Sequence, residues 1–147
     1  MAYLLFWGMA VAKQKFLLVD DSKEDRFLIK QALADCGLDC EVAEAWDGEE
    51  AECLLAQGIN DDTLPHVVIL DLILPKRSGV EVLEKLSGQG IGQRTRIIVL
   101  SSMLPEAETA RLRRLGVRHV FEKPVDLDQF LALGRTLKDL TTSEAHV

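Results

Sequence analysis

The sequence has few cysteines, no cluster of basic residues and no apolar segment long enough to cross a membrane. Its three cysteines, Cys36, Cys40 and Cys53, match no disulfide framework and no metal-binding spacing, which favours reduced thiols in a cytoplasmic protein. The formal net charge is −7, and phosphate binding requires clustered Lys and Arg, so nucleic acid is an unfavourable partner. The first twelve residues are apolar but too few to span a bilayer, so no membrane association is expected.

The 147 residues have the composition of one ordinary globular domain, with 48% hydrophobic and 28% charged residues. Five short β-type segments alternate with helical patterns, which predicts an α/β fold with a five-stranded parallel sheet and helices on both faces. We place the domain at residues 15–140, between an apolar N-terminal extension, 1–14, and a C-terminal tail, 141–147. The predicted strands are 16–19, 41–45, 67–70, 96–100 and 117–121, and the predicted helices are 22–36, 49–57, 80–86, 105–115 and 127–140.

Polar side chains follow four of the five predicted strands. Asp20 and Asp21 follow the first strand, Asp71 the third, Ser101 the fourth and Lys123, after Glu122, the fifth. The carboxyl ends of parallel strands share one edge of the sheet, where open α/β sheets bind ligands. Helix capping explains any one of these residues, but it explains poorly why all four strands end in this way.

Three carboxylates at one sheet edge repel one another unless a cation lies among them. Oxygen ligands favour Mg²⁺, or Mn²⁺ as an alternative, over zinc. A lysine can hold a phosphoryl group and a serine hydroxyl can donate to it. A carboxylate held beside such a cation and a lysine is equipped to attack phosphorus and to carry an acyl phosphate.

In this order the residues resemble the receiver domain of bacterial two-component response regulators, of the stand-alone, single-domain type. The resemblance covers residues 15–140 and rests on Asp-Asp after the first strand, Asp-Leu-x-Leu-Pro-x-x-x-Gly at the third, Ser-Ser after the fourth and Lys-Pro after the fifth. Asp71 precedes Ser101 by 30 positions and Lys123 by 52, as in that family. The resemblance implies a flavodoxin-like, doubly wound sheet with strand order 2-1-3-4-5.

The resemblance also implies roles for the residues of the site. Asp71 is then the phosphoryl acceptor and one ligand of Mg²⁺, Asp21 a direct ligand, and Asp20 a ligand acting mainly through water. The backbone carbonyl of Ile73 completes the protein ligands.

By the same resemblance, Ser101 and Lys123 hold the phosphoryl oxygens, and the bond between Lys123 and Pro124 is cis. A sensor histidine kinase or a phosphotransfer protein donates the phosphoryl group, and the output is contact with a downstream protein target, with a homodimer as a further possibility. The protein then acts on no separate substrate, but only on itself through phosphorylation and dephosphorylation.

One position departs from the family pattern. The family usually has Tyr or Phe three residues before the lysine as a switch side chain, and here that residue is Val120. Phe121 is one residue out of register, and neighbouring strand residues point to opposite faces, so it should not substitute. This departure affects how the phosphorylation state is expected to be passed on through the switch side chain, and it does not affect the phosphorylation chemistry itself.

Three other functions compete with this interpretation. A haloacid-dehalogenase-like phosphohydrolase also begins from a strand-terminal Asp, but it needs a second acid two residues later, where this chain has Ile73. A flavodoxin-type redox carrier needs a Ser-, Thr- or Gly-rich phosphate loop after the first strand, and the sequence has none there. A phosphorylation-independent, receiver-like interaction module would not need to keep the acids, Ser101 and Lys123 together.

Two apolar residues bear on how long the phosphoryl group persists. By the resemblance, the side chains two positions after Asp71 and two after Ser101 flank the path of the hydrolytic water, and here they are Ile73 and Met103. Neither can orient a water molecule, so we expect slow intrinsic dephosphorylation.

Overall fold

The computed structural model describes residues 13–104 and 106–143, and these residues form an α/β fold. The strands are β1 Gln14–Val19, β2 Cys40–Ala45, β3 Val67–Leu70, β4 Arg96–Ser101 and β5 Val117–Glu122. All pairings are parallel and the strand order is β2-β1-β3-β4-β5. The predicted fold class and strand order are confirmed.

The helices are α1 Lys23–Asp35, α2 Gly48–Asp61, α3 Gly79–Ser87, α4 Ile91–Arg94, α5 Glu106–Arg114 and α6 Leu127–Ser143. The short helix α4 lies between the predicted helix 80–86 and the predicted strand 96–100, where no helix was predicted, and its Ile91 is fully buried. No helix among the described residues combines the length and the apolar character needed to cross a membrane.

Helix α6 continues three residues past its predicted end, into the segment predicted as a tail. The Thr141 hydroxyl donates to the Leu137 carbonyl, and Gln14 of β1 donates to the Thr141 carbonyl. Thr141 is buried, so its tertiary contacts keep the last turn helical. Residues 1–12, which hold most of the predicted N-terminal extension, and residues 144–147 lie outside the described residues, and the domain boundaries stay predictions.

The sheet is covered on both faces, because alternate strand residues point to opposite sides. On one face, α1 and α6 pack through Ile29, Leu33, Phe130 and Leu137 against a cluster that includes Phe16 and Ile69. On the other face, α2, α3 and α5 bury apolar residues against the opposite sides of the same strands: Ala51, Leu55, Val82, Leu83, Leu86 and Leu112. This double winding leaves the carboxyl ends of the strands free to form a site.

Candidate functional site

The strand register brings the predicted site residues to one level of the sheet. Val19 of β1 pairs with Leu70 of β3, and Leu70 pairs with Val99 of β4. Asp20 and Asp71 each come directly after a paired residue, and Ser101 lies at the end of β4. Ser101 also accepts a backbone hydrogen bond from Lys123 through its carbonyl, at 3.0 Å. The structure therefore places the four strand ends side by side.

Asp71 is buried and both of its carboxylate oxygens accept hydrogen bonds. Oδ1 accepts from the Ser101 hydroxyl at 3.0 Å and from the Ile73 backbone N–H at 3.1 Å. Oδ2 accepts from the Lys123 ammonium at 2.9 Å. These three donors belong to two different strand ends and the loop after β3, so the fold fixes the orientation of the carboxylate before any ligand arrives.

Gly79 explains why the chain can turn so closely around Asp71. Its N–H donates to the Leu72 carbonyl, and a Cβ at this position would lie 2.5 Å from the Asp71 carbonyl oxygen. Real Cβ atoms do not approach an oxygen so closely, so a larger residue would push the start of α3 away from the site. The glycine of the sequence motif is therefore a packing requirement.

Lys123 is the centre of the ion pairs in the site. Its ammonium lies 2.8 Å from Asp20 Oδ2, 2.8 Å from Asp25 Oδ2 and 2.9 Å from Asp71 Oδ2. Burial opposes the charge on Lys123, but the bonds to these three carboxylates outweigh burial and raise the pKa of the lysine above its ordinary value. The lysine is therefore a permanent cation at neutral pH.

Asp20 is almost fully buried, and both its side chain and its backbone carbonyl accept hydrogen bonds from residues at the start of α1. Its Oδ1 accepts from the Ser22 backbone N–H at 2.8 Å, while its carbonyl accepts from the Arg26 guanidinium at 2.8 Å. Burial raises the pKa of the Asp20 carboxyl, and the hydrogen bond from Lys123 opposes that rise. A further cation near Asp20 would favour its ionised form.

Asp20, Asp21 and Asp71 each offer a carboxylate oxygen, and these oxygen atoms lie within 4.8 Å of one another. Asp20 and Asp71 are buried, whereas Asp21 is exposed. The donor set is all oxygen, as Mg²⁺ and Mn²⁺ prefer. Its negative charge exceeds the single positive charge of Lys123. The residues present therefore fit a divalent cation of this kind.

Two apolar residues that follow the strand ends, Ile73 and Met103, lie at the surface. Ile73 and Met103 are exposed by 52% and 63%, and both line an open groove that extends between α3 and α5. Val120 packs with the cluster under α2, α3 and α5, whereas Phe121 packs with the cluster under α1 and α6. Phe121 therefore points away from the face that holds the usual switch side chain, as predicted.

One expectation about the backbone is wrong. The bond between Lys123 and Pro124 was expected to be cis, but it is trans, and no cis peptide bond occurs within the described residues. Trans is the lower-energy isomer even before proline.

Sequence reasoning missed two participants on α1. Asp25 lies three residues after Ser22, where an acid is readily explained as part of a helix cap, yet its side chain contacts Lys123, 98 residues away. Arg26 is buried, pairs with Glu44 at 2.8 Å, and its guanidinium lies 5.0 Å from the centre of the Trp46 ring. The one available signal for Arg26 is its position three residues before Ile29, on the inner face of the helix.

The comparisons with known proteins agree with this geometry. The response regulator receiver domain family matches residues 16–134. The response regulator Rcp1 of Synechocystis sp. is 31% identical over 126 residues, which cover 84% of this chain and 79% of Rcp1. Some curated relatives are longer, and the chain spans about half the length (49%) of a transcriptional regulatory protein among them.

Two solved structures are close to this one. The phosphorylated cyanobacterial phytochrome response regulator RcpA has a TM-score of 0.80 and 31% identity, covering 90% of this chain and 96% of RcpA. The Mn²⁺-bound form of Rcp1 has a TM-score of 0.75 and 28% identity, with 86% and 92% covered. Receiver domains of this family act in two-component signalling. The chain belongs to the response regulator receiver domain family.

Proposed function

We propose that this protein accepts a phosphoryl group on Asp71 and signals its phosphorylation state by contact with another protein. The observation that carries the proposal is the setting of Asp71, whose oxygens accept from Ser101 and Lys123 beside the carboxylates of Asp20 and Asp21. Ser101 at the end of β4 and Lys123 after β5 supply the hydrogen-bond donors that a phosphoryl group needs, and the acids supply ligands for a cation.

In the proposed reaction, one Asp71 carboxylate oxygen attacks the phosphorus atom of the donor. A P–O bond forms while the bond from phosphorus to the leaving group breaks. With a phosphohistidine donor, the electron pair of the P–N bond stays on the imidazole, which takes up a proton; with acetyl phosphate, acetate leaves. The Ser101 hydroxyl and the Lys123 ammonium then donate to phosphoryl oxygens, where negative charge is concentrated.

Asp20, Asp21, Asp71 and the carbonyl of Ile73 would hold Mg²⁺ or Mn²⁺, with Asp20 acting mainly through water. When bound, the divalent cation would neutralise charge on the phosphoryl oxygens and on the crowded carboxylates. The chain's own residues supply the rest, since Ser101 and the Ile73 N–H orient Asp71 and Lys123 carries a fixed positive charge.

In this proposal, a sensor histidine kinase or a phosphotransfer protein donates the phosphoryl group. The phosphorylated domain then contacts a downstream protein target in the cytoplasm. RcpA, a structural relative at 31% identity, was solved as a phosphorylated response regulator, which supports phosphorylation of the present chain. A phosphohydrolase of the haloacid dehalogenase kind is disfavoured, because its second acid would occupy the position of Ile73. The protein would then act catalytically only on its own phosphorylation state.

The first prediction is that Asp71→Asn abolishes phosphorylation while the domain stays folded and at least as stable. The amide cannot form the acyl phosphate, and it removes one charge from a group of mutually repelling acids. The measurement is incubation with Mg²⁺ and acetyl phosphate, followed by intact mass spectrometry, hydroxylamine sensitivity of the label and urea unfolding.

The matched control is Asp128→Asn, the same substitution on an exposed residue in the first turn of α6. We expect this variant to be labelled like the wild-type protein. Label of wild-type extent on Asp71→Asn would show that another residue is the acceptor. A wild-type protein that takes no label from any acyl or phosphohistidine donor would instead support a phosphorylation-independent interaction module.

A further inference from the structure

The ammonium group of Lys123 uses all of its hydrogen-bond capacity. It has three protons, and Asp20, Asp25 and Asp71 each lie within 2.9 Å of the nitrogen. Asp20 and Asp71 follow strands of the sheet and are members of the acidic group that fits a cation. Asp25 is different, because it lies on α1 and the structure, over its described residues, does not place it in that group.

The side chain of Asp25 is also not used for the local purpose that its position suggests. Ser22 caps α1 by accepting from the Asp25 backbone N–H at 3.2 Å. In a complete capping box, the Asp25 side chain would return the bond to the Ser22 N–H. Here Asp20 Oδ1 accepts from the Ser22 N–H instead, at 2.8 Å, and the Asp25 carboxylate is directed to Lys123.

Cation binding and phosphorylation change the three carboxylates that pair with Lys123 unequally. A cation bound by Asp20 and Asp71 partly neutralises the negative charge of these two carboxylates. Phosphorylation then converts Asp71 into an acyl group, so its charge moves outward onto the phosphoryl oxygens. Asp25 takes part in neither change, and it is the one carboxylate that can stay paired with Lys123 throughout.

We propose that Asp25 is a positioning residue that holds the Lys123 ammonium while one of its protons is redirected from Asp71 to a phosphoryl oxygen. This inference rests on the proposed function, since it concerns how the lysine serves a phosphoryl group on Asp71. The side chain of Asp25 is partly exposed and that of Lys123 is mostly buried, so the pair fixes the lysine from the solvent side of the site. It also ties the start of α1 to the end of β5.

The test is binding of beryllofluoride, a phosphoryl mimic that coordinates a carboxylate, measured by ¹⁹F NMR at saturating Mg²⁺. We expect Asp25→Ala to weaken beryllofluoride binding about tenfold, because the lysine loses its fixed partner. Asp25→Asn keeps a hydrogen-bond acceptor for the ammonium and should stay within about threefold of the wild-type protein. Affinity for Mg²⁺ alone should change less than about twofold in both variants.

The matched control is Glu24→Ala, which removes the same charge from the same exposed turn of α1 without touching Lys123. It should bind beryllofluoride like the wild-type protein, which separates positioning from the general electrostatic effect of an acid near the helix N-terminus. Thermal unfolding of all variants shows whether they fold. If Asp25→Ala does not fold, Asp25→Leu replaces it as the test, because leucine has a similar size but offers the ammonium no hydrogen-bond acceptor.

A double-mutant cycle with Lys123→Ala separates positioning from a purely structural role. We expect Asp25→Ala to change binding less than about twofold when Lys123 is absent. Wild-type affinity in Asp25→Ala, or an equal penalty on the Lys123→Ala background, would overturn the inference while leaving the proposed function intact. Failure of the wild-type protein itself to bind beryllofluoride would overturn the proposed function.

Discussion

At the scale of single residues, two exposed apolar side chains, Ile73 and Met103, line the groove between α3 and α5, and the resemblance to the family implies that they flank the path of the hydrolytic water. Hydrolysis of an acyl phosphate requires a water molecule in line with the bond that breaks, and positioning is a large part of what a protein contributes to such a step. Ile73 and Met103 offer no hydrogen-bond donor or acceptor to that water. Their exposure makes them accessible to substitution without disturbing the core.

We therefore predict slow loss of the phosphoryl group, and a faster loss when polar residues replace this pair. The double variant Ile73→Asn with Met103→Glu should accelerate decay roughly tenfold or more, which corresponds to about 1.4 kcal/mol of barrier. The measurement is the decay of phosphorylated protein after removal of the donor at constant Mg²⁺.

A volume-matched control, Ile73→Leu with Met103→Leu, keeps both side chains apolar and should decay like the wild-type protein. A wild-type half-life of seconds, or equal decay in the polar and apolar double variants, would contradict the idea that these residues exclude water.

The sequence sufficed to predict that Asp20, Asp21, Asp71, Ser101 and Lys123 lie together, because each lies at or just after the end of a strand whose apolar composition is plain. Parallel strands must end at the same edge, so nearness in space follows from the pattern alone. Asp25 could not be found in this way, since an acid at the third helical position already has an adequate local explanation as a cap. Only the three-dimensional direction of its side chain reveals the contact with Lys123.

At the scale of elements, α1 is attached to the sheet by charge as well as by apolar packing. Glu44 of β2 accepts from Arg26 Nε at 2.8 Å and from Lys30 Nζ at 2.7 Å. The bond from Lys30 lowers the pKa of the Glu44 carboxyl, burial opposes that effect, and the bond from Arg26 adds to the lowering. Arg26 also donates to the Asp20 carbonyl, so this attachment adjoins the site.

The lowered pKa gives this attachment a defined dependence on pH. A carboxylate with a depressed pKa in the folded state contributes stability that is present above its ordinary pKa of 4.5 and is lost as the pH falls through the folded-state value. We predict that Glu44→Gln costs about 1 kcal/mol of unfolding free energy at pH 7. That cost should be smaller at pH 3 than at pH 7, because acid drives Glu44 of the wild-type protein towards its protonated form.

Urea unfolding at both pH values measures this difference. Glu41→Gln is the control, because Glu41 is an exposed acid of the same strand, and it should show a small cost without this pH dependence. A Glu44→Gln penalty that is the same at pH 7 and pH 3 would show that the glutamate acts through shape rather than charge.

The elements themselves were predicted best where the apolar pattern is continuous and worst at the ends of helices. The predicted second helix stops at residue 57, but α2 reaches Asp61 and ends with Asp62 in the left-handed conformation. The short helix α4 follows Gly90, in a segment whose glycines indicate a loop. At α4 tertiary packing decides the outcome, as the buried Ile91 illustrates, and local propensity cannot reveal it.

At the scale of the whole molecule, the fold covers both faces of the sheet with helices and brings four acidic side chains and one lysine to the edge of the sheet, where three of the acids pair with the lysine. Like charges at about 4 Å repel by roughly 4 kcal/mol at an effective dielectric constant of 20. Lys123 offsets part of that repulsion through its three ion pairs. A divalent cation bound beside the remaining negative charge would therefore stabilise the domain.

We therefore predict that Mg²⁺ raises the melting temperature of the domain, because an ion that binds only the folded state stabilises it by mass action. At about 100 times its dissociation constant the gain is ~2.7 kcal/mol, which is several degrees for a domain of this size. Asp21→Ala should reduce the gain by at least about 1.4 kcal/mol, the equivalent of tenfold weaker binding. Asp20→Ala should reduce it less, since Asp21 is proposed as a direct ligand and Asp20 as one that acts mainly through water.

The quantity to compare is the rise in melting temperature on adding Mg²⁺, measured for each variant against its own sample in EDTA at equal ionic strength. This design matters because Asp20→Ala also removes a partner of Lys123 and changes the stability of the metal-free protein, whereas equal ionic strength removes general screening. Asp128→Ala, on an exposed residue that does not belong to the acidic group of Asp20, Asp21 and Asp71, should keep the full rise. Equal rises in Asp21→Ala and Asp20→Ala, or a larger loss in Asp20→Ala, would mean that the direct and the water-mediated ligand have been assigned the wrong way round.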